Sequence, residues 1–377
     1  MKWSWKIFTV FGIDVHVHAT FLLLLLFFLL APMLRPEEGA GSPLFQGLAS
    51  MFLVILIFGC VLLHELGHAL TARRYGVKTR DITLLPIGGL ARLERIPTEP
   101  RQELAIAVAG PAVNLAIAGV LFLIGLGLGW GPNILPEQNT ISGRSFLQEL
   151  LVINLGLAVF NFIPAFPMDG GRILRALLAL KLDYLQATRI AVGVGQALAF
   201  AFGLYGLLYG HIILALIAFF IYIGAGQEGA AVQYRQTFRG LPASIAMMTN
   251  FQRLEQTDRL EKAVEFLLQG SQIDFPVIQD GKVIGLLTRG TLIDSLGKKG
   301  PQATVASVPL TKVTVVEDDL PLEGAWEALQ EQAVRCLPVT HRGELVGLIT
   351  MENLAEFAMV QSAIRKKDSG LGGMRIR

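Results

Sequence analysis

Two histidines and a glutamate stand at a spacing suited to metal-dependent hydrolysis. His64 and His68 are four residues apart in HELGH, so a helix presents both imidazoles on one face, with Glu65 beside the first. In HExxH motifs the two histidines bind zinc and the glutamate is the general base for water. The motif predicts a zinc hydrolase, and the alternative is a helix end with interfacial histidines that bind no metal.

A third zinc ligand is expected, because catalytic zinc sites use three protein ligands and keep one position open. Most carboxylates of residues 1–227 lie in loops or at span ends: Glu37, Glu38, Asp81, Glu94, Glu99, Glu103, Glu137 and Glu149. Asp169 differs, because it follows an apolar run in NFIPAFPMDGG (161–171), where Pro164 and Pro167 interrupt the helix. Non-helical backbone at membrane depth is tolerated only beside protein or a wet cavity. Asp169 is therefore the candidate ligand, and the alternative is that it caps the next helix.

The composition places these residues in a membrane. The 377 residues are 53% hydrophobic and only 16% charged, whereas soluble domains carry about 25% charged residues. Residues 1–227 carry 27 of the charged side chains and residues 228–377 carry 35, which predicts a membrane part followed by a soluble part. A net charge of +2 gives no case for nucleic acid as a partner. Two cysteines, one in each part, exclude a disulfide framework and a cysteine-based metal site.

Charge-poor runs predict about six membrane-spanning helices. The runs are 18–34, 39–63 continuing into HELGH, 104–136, 150–168 and 190–227. The last is too long for one helix and is expected to break into a hairpin within 205–211. A secretory signal peptide is the alternative for the first run, but its cleavage site is weak, so we expect an uncleaved span.

The distribution of basic residues predicts a multi-pass cell-membrane protein with both termini in the cytoplasm. The basic side contains Lys2, Lys6, Arg73, Arg74, Lys78, Arg80, Arg92, Arg95, Arg101, Arg172, Arg175 and Lys181, and the opposite loops contain Arg35 and Arg144. Loops rich in lysine and arginine stay in the cytoplasm.

The soluble part contains a duplicated unit. FPVIQDGKVIGLLTRGTLIDSL (275–296) aligns with LPVTHRGELVGLITMENLAEFA (337–358) at a period of 62 residues, with turn residues in register. Each unit is expected to form a helix, a β-hairpin turned at DGK or RGE, and a second helix. The preceding helices are predicted at 260–268 and 321–332.

This pair resembles two cystathionine β-synthase (CBS) modules, at 240–300 and 301–362, and residues 363–377 are expected to be a disordered tail. In nucleotide-binding CBS modules, an aspartate three residues after a strand-ending threonine contacts the ribose hydroxyls. Thr291 and Asn353 stand at those positions here, so we expect weak adenine nucleotide binding or none. A dimerisation surface or a docking platform for a regulator is the alternative role.

Three motifs, HELGH, GPAVN (110–114) and NFIPAFPMDGG, resemble the site-2 protease family of intramembrane metalloproteases over residues 1–227. One subgroup carries a similar CBS pair. The resemblance implies a polytopic α-helical membrane domain with a C-terminal α/β CBS pair, and one Zn²⁺ held by His64, His68 and Asp169. It also implies that Glu65 is the catalytic residue and that Asn161, near the metal, steadies the tetrahedral intermediate. The expected partners are the lipid bilayer and membrane proteins, which are cleaved within or near their transmembrane segments.

Other polar and glycine-rich segments support weaker predictions. Asn154 is expected to form an interhelical hydrogen bond, and Asn114 to pack its span closely against the catalytic one. The apolar segment 84–94 is either a re-entrant strand whose edge pairs with an extended substrate or an interfacial loop. His16 and His18 are expected at the interface rather than on a metal.

Two other classes of function fit part of the sequence. A transporter or channel gated by a CBS pair fits the spans and the duplicated unit, but the membrane part has no internal repeat of the kind common in transporters. An inactive scaffold that binds membrane helices would not need Glu65 or Asp169, and both are present.

Overall fold

A computed structural model describes residues 3–34, 42–86, 88–93, 99–129, 143–332 and 334–371. The chain divides into two compact units, Met1–Ala230 and Ala231–Arg377.

The described residues up to 238 contain seven helices. They are α1 (Ala19–Leu34), α2 (Pro43–Arg74), α3 (Pro100–Gly127), α4 (Gly143–Phe162), α5 (Asp169–Ala179), α6 (Tyr184–Leu208) and α7 (Ile212–Phe238). By length and composition, α2, α3, α6 and α7 are able to cross a membrane, while α1 and the apolar part of α4 are shorter. The six correspond to the six predicted spans, and the break between α6 and α7 falls within the predicted segment. The prediction of a polytopic helical membrane protein is confirmed.

Local sequence explains where α2, the helix that contains HELGH, begins and ends. The Ser42 side chain accepts a hydrogen bond from the Phe45 amide, and Pro43 occupies the first position of α2, where a missing amide proton costs nothing. Gly76, with a φ of 72°, follows the last turn and suits the chain reversal. The 32 residues of α2 extend about 48 Å, so the helix is longer than a bilayer core and HELGH lies in its last third.

Within the described residues, four strands form a sheet that packs against α1 and α2. Its strands are β1 (Ser4–Val10), β2 (Ile13–His18), β3 (Thr79–Leu85) and β4 (Gly88–Leu93), in the order β1-β2-β3-β4. Strands β2 and β3 are parallel, and the other two pairs are antiparallel. Buried residues of β2 and β3 form a core with Phe21 of α1 and Phe58 of α2. Segment 84–94 therefore contains a strand, which the re-entrant strand interpretation required and the interfacial loop interpretation did not. Strands β1 and β2 were not predicted.

The second unit contains the two repeats. The first comprises β5 (Leu254–Glu255), α8 (Leu260–Gln269), β6 (Phe275–Gln279), β7 (Lys282–Leu287) and α9 (Arg289–Lys299), and the second comprises β8 (Val316–Glu317), α10 (Leu322–Gln332), β9 (Cys336–His341), β10 (Glu344–Thr350) and α11 (Met351–Leu371). Each hairpin turns through two residues with positive φ, Asp280–Gly281 and Arg342–Gly343. The predicted helix-hairpin-helix pattern is found in both.

Two features of this unit differ from the sequence expectations. The short strands β5 and β8 add a parallel edge to each hairpin, and two residues are too few for a readable pattern. Helix α11 continues to Leu371, past the start of the tail expected to be disordered, because helix-forming residues continue after Ser362. Residues 372–377 lie outside the described residues.

Candidate metal centre

Three side chains from two helices converge on one point. The Nε2 atoms of His64 and His68, one turn apart on α2, lie 3.1 Å from each other. Oδ2 of Asp169, the first residue of α5, lies 3.3 Å from Nε2 of His64 and 3.1 Å from Nε2 of His68. All three residues are buried, and they form a group of potential metal ligands.

A chain of hydrogen-bonded side-chain amides fixes which ring nitrogen of neutral His64 carries the proton. Asn154 Nδ2 must donate to the Leu150 carbonyl at 2.8 Å, because that oxygen can only accept. Asn154 Oδ1 then accepts from Asn114 Nδ2 at 3.2 Å, which leaves Asn114 Oδ1 facing His64 Nδ1 at 2.6 Å. In the neutral ring, Nδ1 of His64 therefore carries the proton and donates it, and Nε2 keeps the lone pair that can bind a metal ion.

His68 is oriented in the same way by backbone. Its Nδ1 lies 2.7 Å from the Ile106 carbonyl of α3, and a carbonyl only accepts, so Nδ1 is the donor. In the neutral ring, Nε2 is then the nitrogen that keeps its lone pair. Hydrogen bonds on the outer nitrogens are how proteins commonly orient metal-binding histidines.

The donor set suits a zinc ion. Two unprotonated nitrogens and a carboxylate oxygen face one another, so the three lone pairs repel unless a cation lies between them. In a tetrahedral site with bonds of about 2.0–2.1 Å, two ligand atoms lie about 3.3 Å apart. The three observed separations, 3.1, 3.1 and 3.3 Å, are close to that value.

A cavity of about 440 Å³ opens onto this group. Glu65, Asn161 and Arg172 line it together with His64, His68, Asp169 and backbone of β4. Asn161 donates one Nδ2 proton to the Leu157 carbonyl at 3.0 Å, so its second proton and its Oδ1 remain available. The structure therefore brings every residue of the predicted site to one cavity.

Two glycines leave room for the site. A Cβ on Gly110 of α3 would lie 2.2 Å from Nε2 of His68 and 2.8 Å from Cε1 of His64. A Cβ on Gly89 of β4 would lie 2.5 Å from Cγ of Glu65 and 3.1 Å from its Oε1. The first glycine lets the imidazoles converge, and the second lets a strand pass directly beside Glu65.

Gly110→Ala is expected to abolish zinc binding, because the added methyl group overlaps both imidazoles. The expected loss of zinc affinity is at least about 100-fold, the upper end of what outer-shell changes cost. Gly119→Ala on the same helix is the matched control, since a Cβ there meets nothing within 4 Å. Equal zinc content in both variants, measured by elemental analysis of purified protein, would contradict the proposed role of Gly110.

Sequence reasoning found some of these residues and missed others. Asn154 makes the expected interhelical hydrogen bond, but Asn114 contacts His64 itself rather than only packing its span. The carbonyl of Ile106 was not predicted, since no sequence signal marks a backbone acceptor. Asp169 starts α5 without acting as its N-cap, which is Met168. His16 and His18 lie on β2 and do not line the cavity.

Comparisons with known proteins identify two kinds of domain. The profile of peptidase family M50 matches residues 52–142 and 135–202. The CBS domain profile matches residues 243–298 and 305–359. The M50 match contains His64 and His68 in its first range and Asp169 in its second. The CBS matches cover the duplicated unit.

Curated relatives match nearly the whole chain. The chain is 35% identical over 355 residues to zinc metalloprotease MJ0392 of Methanocaldococcus jannaschii, and the match covers 94% of this chain and 96% of that protein. It is 29% identical over 377 residues to putative zinc metalloprotease sll0528 of Synechocystis sp., covering 95% and 96%. A solved structure of the site-2 protease from Methanocaldococcus jannaschii is 39% identical and covers 60% of this chain and 95% of that one, with a TM-score of 0.43.

Proposed function

The chain belongs to peptidase family M50 and is an intramembrane zinc metalloprotease, and on that premise we propose a role for each residue of the site. His64, His68 and Asp169 hold the zinc ion, Glu65 is the general base, and Asn161 contacts the substrate carbonyl. One observation carries the proposal: three potential ligand atoms from α2 and α5 converge beside Glu65 in one cavity. Zinc content measured together with cleavage tests these roles, because a lost ligand removes both and a lost base removes only cleavage.

The site residues divide the chemistry among them. When bound, zinc acts as a Lewis acid that polarises a carbonyl and makes water more acidic. Glu65 takes a proton from the attacking water and later gives it to the leaving amine. The free amide proton of Asn161 donates to the carbonyl oxygen as negative charge develops there. Asn114, Asn154 and the Ile106 carbonyl keep both imidazoles in the tautomer that binds metal.

Strand β4 is the proposed contact for the substrate backbone. It is the outermost strand of the sheet, so in the described part of the chain one edge of β4 has no strand partner. Gly89 and its neighbours line the cavity beside Glu65. A transmembrane helix is cleaved only where it is unwound, and an unwound segment satisfies its amide groups by pairing with a strand edge. The proposed substrate is therefore a membrane protein with a locally unwound transmembrane segment.

We further propose that the termini and the loop 71–101 face the cytoplasm, in a multi-pass cell-membrane protein. The support is the excess of basic residues on one side of the spans. Arg175, one of the basic residues counted, is buried, and the excess persists without it. HELGH, near the end of α2 that leads into this loop, then lies close to cytoplasmic water.

Reporter fusions are expected to confirm this orientation. A C-terminal fusion to a phosphatase that folds only outside the cytoplasm should be inactive, while the same fusion to a cytoplasmic reporter should be active. Insertion of the phosphatase within 131–142, predicted on the opposite side, is the control and should be active. Phosphatase activity of the C-terminal fusion would reverse the proposed topology.

The CBS pair is proposed to bind adenine nucleotides weakly or not at all, and to dimerise or dock a regulator instead. Thr288 Oγ1 accepts from the Thr291 amide and lies 3.0 Å from the Thr291 hydroxyl. Thr350 Oγ1 accepts from the Asn353 amide and donates to its Oδ1 at 2.8 Å. Both threonine hydroxyls thus bond within the chain, and neither partner side chain offers the charged carboxylate that accepts from two ribose hydroxyls.

Calorimetry of the full-length protein in detergent with ATP and with AMP checks this prediction. We expect a Kd weaker than roughly 1 mM, which corresponds to about −4 kcal/mol. Asn353→Asp supplies the missing carboxylate and should strengthen binding. Micromolar affinity of the wild type that is lost in Thr288→Ala would show that the pair is a nucleotide sensor.

A further inference from the structure

A fully buried arginine joins three helices, two of which carry residues of the proposed zinc site. Arg175 lies on α5 and is 0% exposed. Its Nε and Nη2 donate to Glu103 Oε1 of α3 at 2.8 and 2.5 Å, and its Nη1 donates to Glu228 Oε1 of α7 at 2.6 Å. Because the guanidinium is planar, contacts with two carboxylates on different helices fix its orientation.

Two aromatic rings complete the surroundings of this guanidinium. Its Cζ lies 4.9 Å from the ring centroid of Phe166 and 5.1 Å from that of Tyr184, within the range of cation–π attraction. Phe166 belongs to the turn between α4 and α5, three residues before Asp169, and Tyr184 begins α6. From one position on α5, Arg175 therefore contacts α3, α6, α7 and the turn that leads into Asp169.

Each member of the ion pair between Arg175 and Glu103 is within six residues, in the sequence, of a group that contacts His68. Glu103 is three residues before Ile106, whose carbonyl accepts from Nδ1 of His68. Arg175 is six residues after Asp169, whose Oδ2 lies 3.1 Å from Nε2 of the same ring. The contact between Glu103 and Arg175 therefore fixes the two helices that hold opposite nitrogens of one imidazole.

We propose that Arg175 is a positioning residue that sets Asp169 against His64 and His68, with Glu103 and Glu228 as its anchors. The proposal rests on the zinc ligands proposed above. A buried ion pair is a poor way to gain stability, because desolvating the charges costs about as much as pairing them returns, and apolar replacements are often neutral. In this protein, the ion pair serves instead to hold α5 in place. This helix begins with the proposed ligand Asp169 and has only 11 residues.

Arg175→Lys tests this role, since lysine keeps the charge but loses the planar fork. We expect zinc affinity to fall about 10- to 100-fold, as for other residues that orient metal ligands. On zinc-saturated protein, kcat should fall while KM stays unchanged, because Arg175 is fully buried and does not line the cavity. Zinc affinity is measured on the full chain in detergent by competition with a chromophoric chelator, and the melting temperature is recorded on the same samples.

Arg235→Lys is the matched control. Arg235 also pairs with a carboxylate, Glu327 at 3.0 Å, and also lies near an aromatic ring, Trp326 at 5.7 Å. No proposed zinc ligand lies near it in the sequence or belongs to its unit. This variant should keep the wild-type zinc affinity and the wild-type kcat.

Glu228→Gln is a milder variant that covers a failure of Arg175→Lys to fold, and it should weaken zinc binding several-fold. Wild-type zinc affinity and kcat in the folded variants, with only a lower melting temperature, would overturn the proposal and leave Arg175 a structural residue. Asp169→Ala, measured alongside, separates a failure of the ligand assignment from a failure of the positioning role. If it retains zinc the ligand assignment itself fails, and if it loses zinc while Arg175→Lys does not, only the positioning role fails.

Discussion

Asp169→Ala is expected to lose both the bound zinc and all proteolysis. The substitution removes one of three converging donors and leaves two imidazoles alone in the cavity. Substituting a residue that only orients a metal ligand lowers metal affinity by about 10- to 100-fold. Loss of a ligand itself should therefore lower zinc affinity by more than about 100-fold. Elemental analysis of the purified variant and cleavage of a transmembrane substrate measure both effects.

Asp183→Ala is the matched control for this experiment. Asp183 also stands at the start of a helix, where its side chain accepts a hydrogen bond from the Leu185 amide. Its removal costs the stability of a helix cap, about 1 kcal/mol, and no zinc ligand. If Asp169→Ala behaved like Asp183→Ala, with full zinc content and a slightly lower melting temperature, Asp169 would not be the third ligand.

Glu65→Gln is expected to abolish detectable cleavage while zinc stays bound at one ion per chain. Glutamine keeps the size of the side chain, but it cannot take a proton from water. Loss of a general base lowers kcat by about 10²- to 10⁴-fold. Because Glu65 is not one of the three converging donors, zinc affinity should change little, and elemental analysis beside a cleavage assay separates these two results.

Glu149→Gln on α4 serves as the control, since it neutralises another carboxylate of the same unit that does not line the cavity. It should keep both zinc and activity. Substantial cleavage by Glu65→Gln would show that another group is the base, and loss of zinc in that variant would make Glu65 a ligand.

The convergence of His64 and His68 was predictable because its constraints are local. HELGH places two imidazoles on one face by helical spacing alone, and the charge-free run before it indicates a membrane setting. Asp169 was predicted from a different feature of the sequence, because two prolines interrupt an apolar run just before an isolated carboxylate. In both cases the sequence contains the physical constraint within about ten residues.

Contacts between distant segments could not be predicted in this way. His64 and Asn114 are 50 residues apart, and Arg175 and Glu103 are 72 apart. Arg175 reads in sequence as one more basic loop residue, and only the packing of α3, α5 and α7 makes it buried. Strand β2 is a different case. The alternation of Ile13, Val15 and Val17 with polar residues was visible in the sequence, but it led only to the prediction that His16 and His18 lie at the interface.

The most direct test of the account is zinc-dependent cleavage at a mapped bond. The purified chain, reconstituted with one defined transmembrane substrate, should contain one zinc per chain and cut the substrate within or near its membrane segment, as located by mass spectrometry. Removing zinc with a chelator should stop cleavage, and adding zinc back should restore it. Cleavage that continues at full rate without zinc, or a zinc-loaded wild type that cuts no transmembrane substrate, would contradict the account.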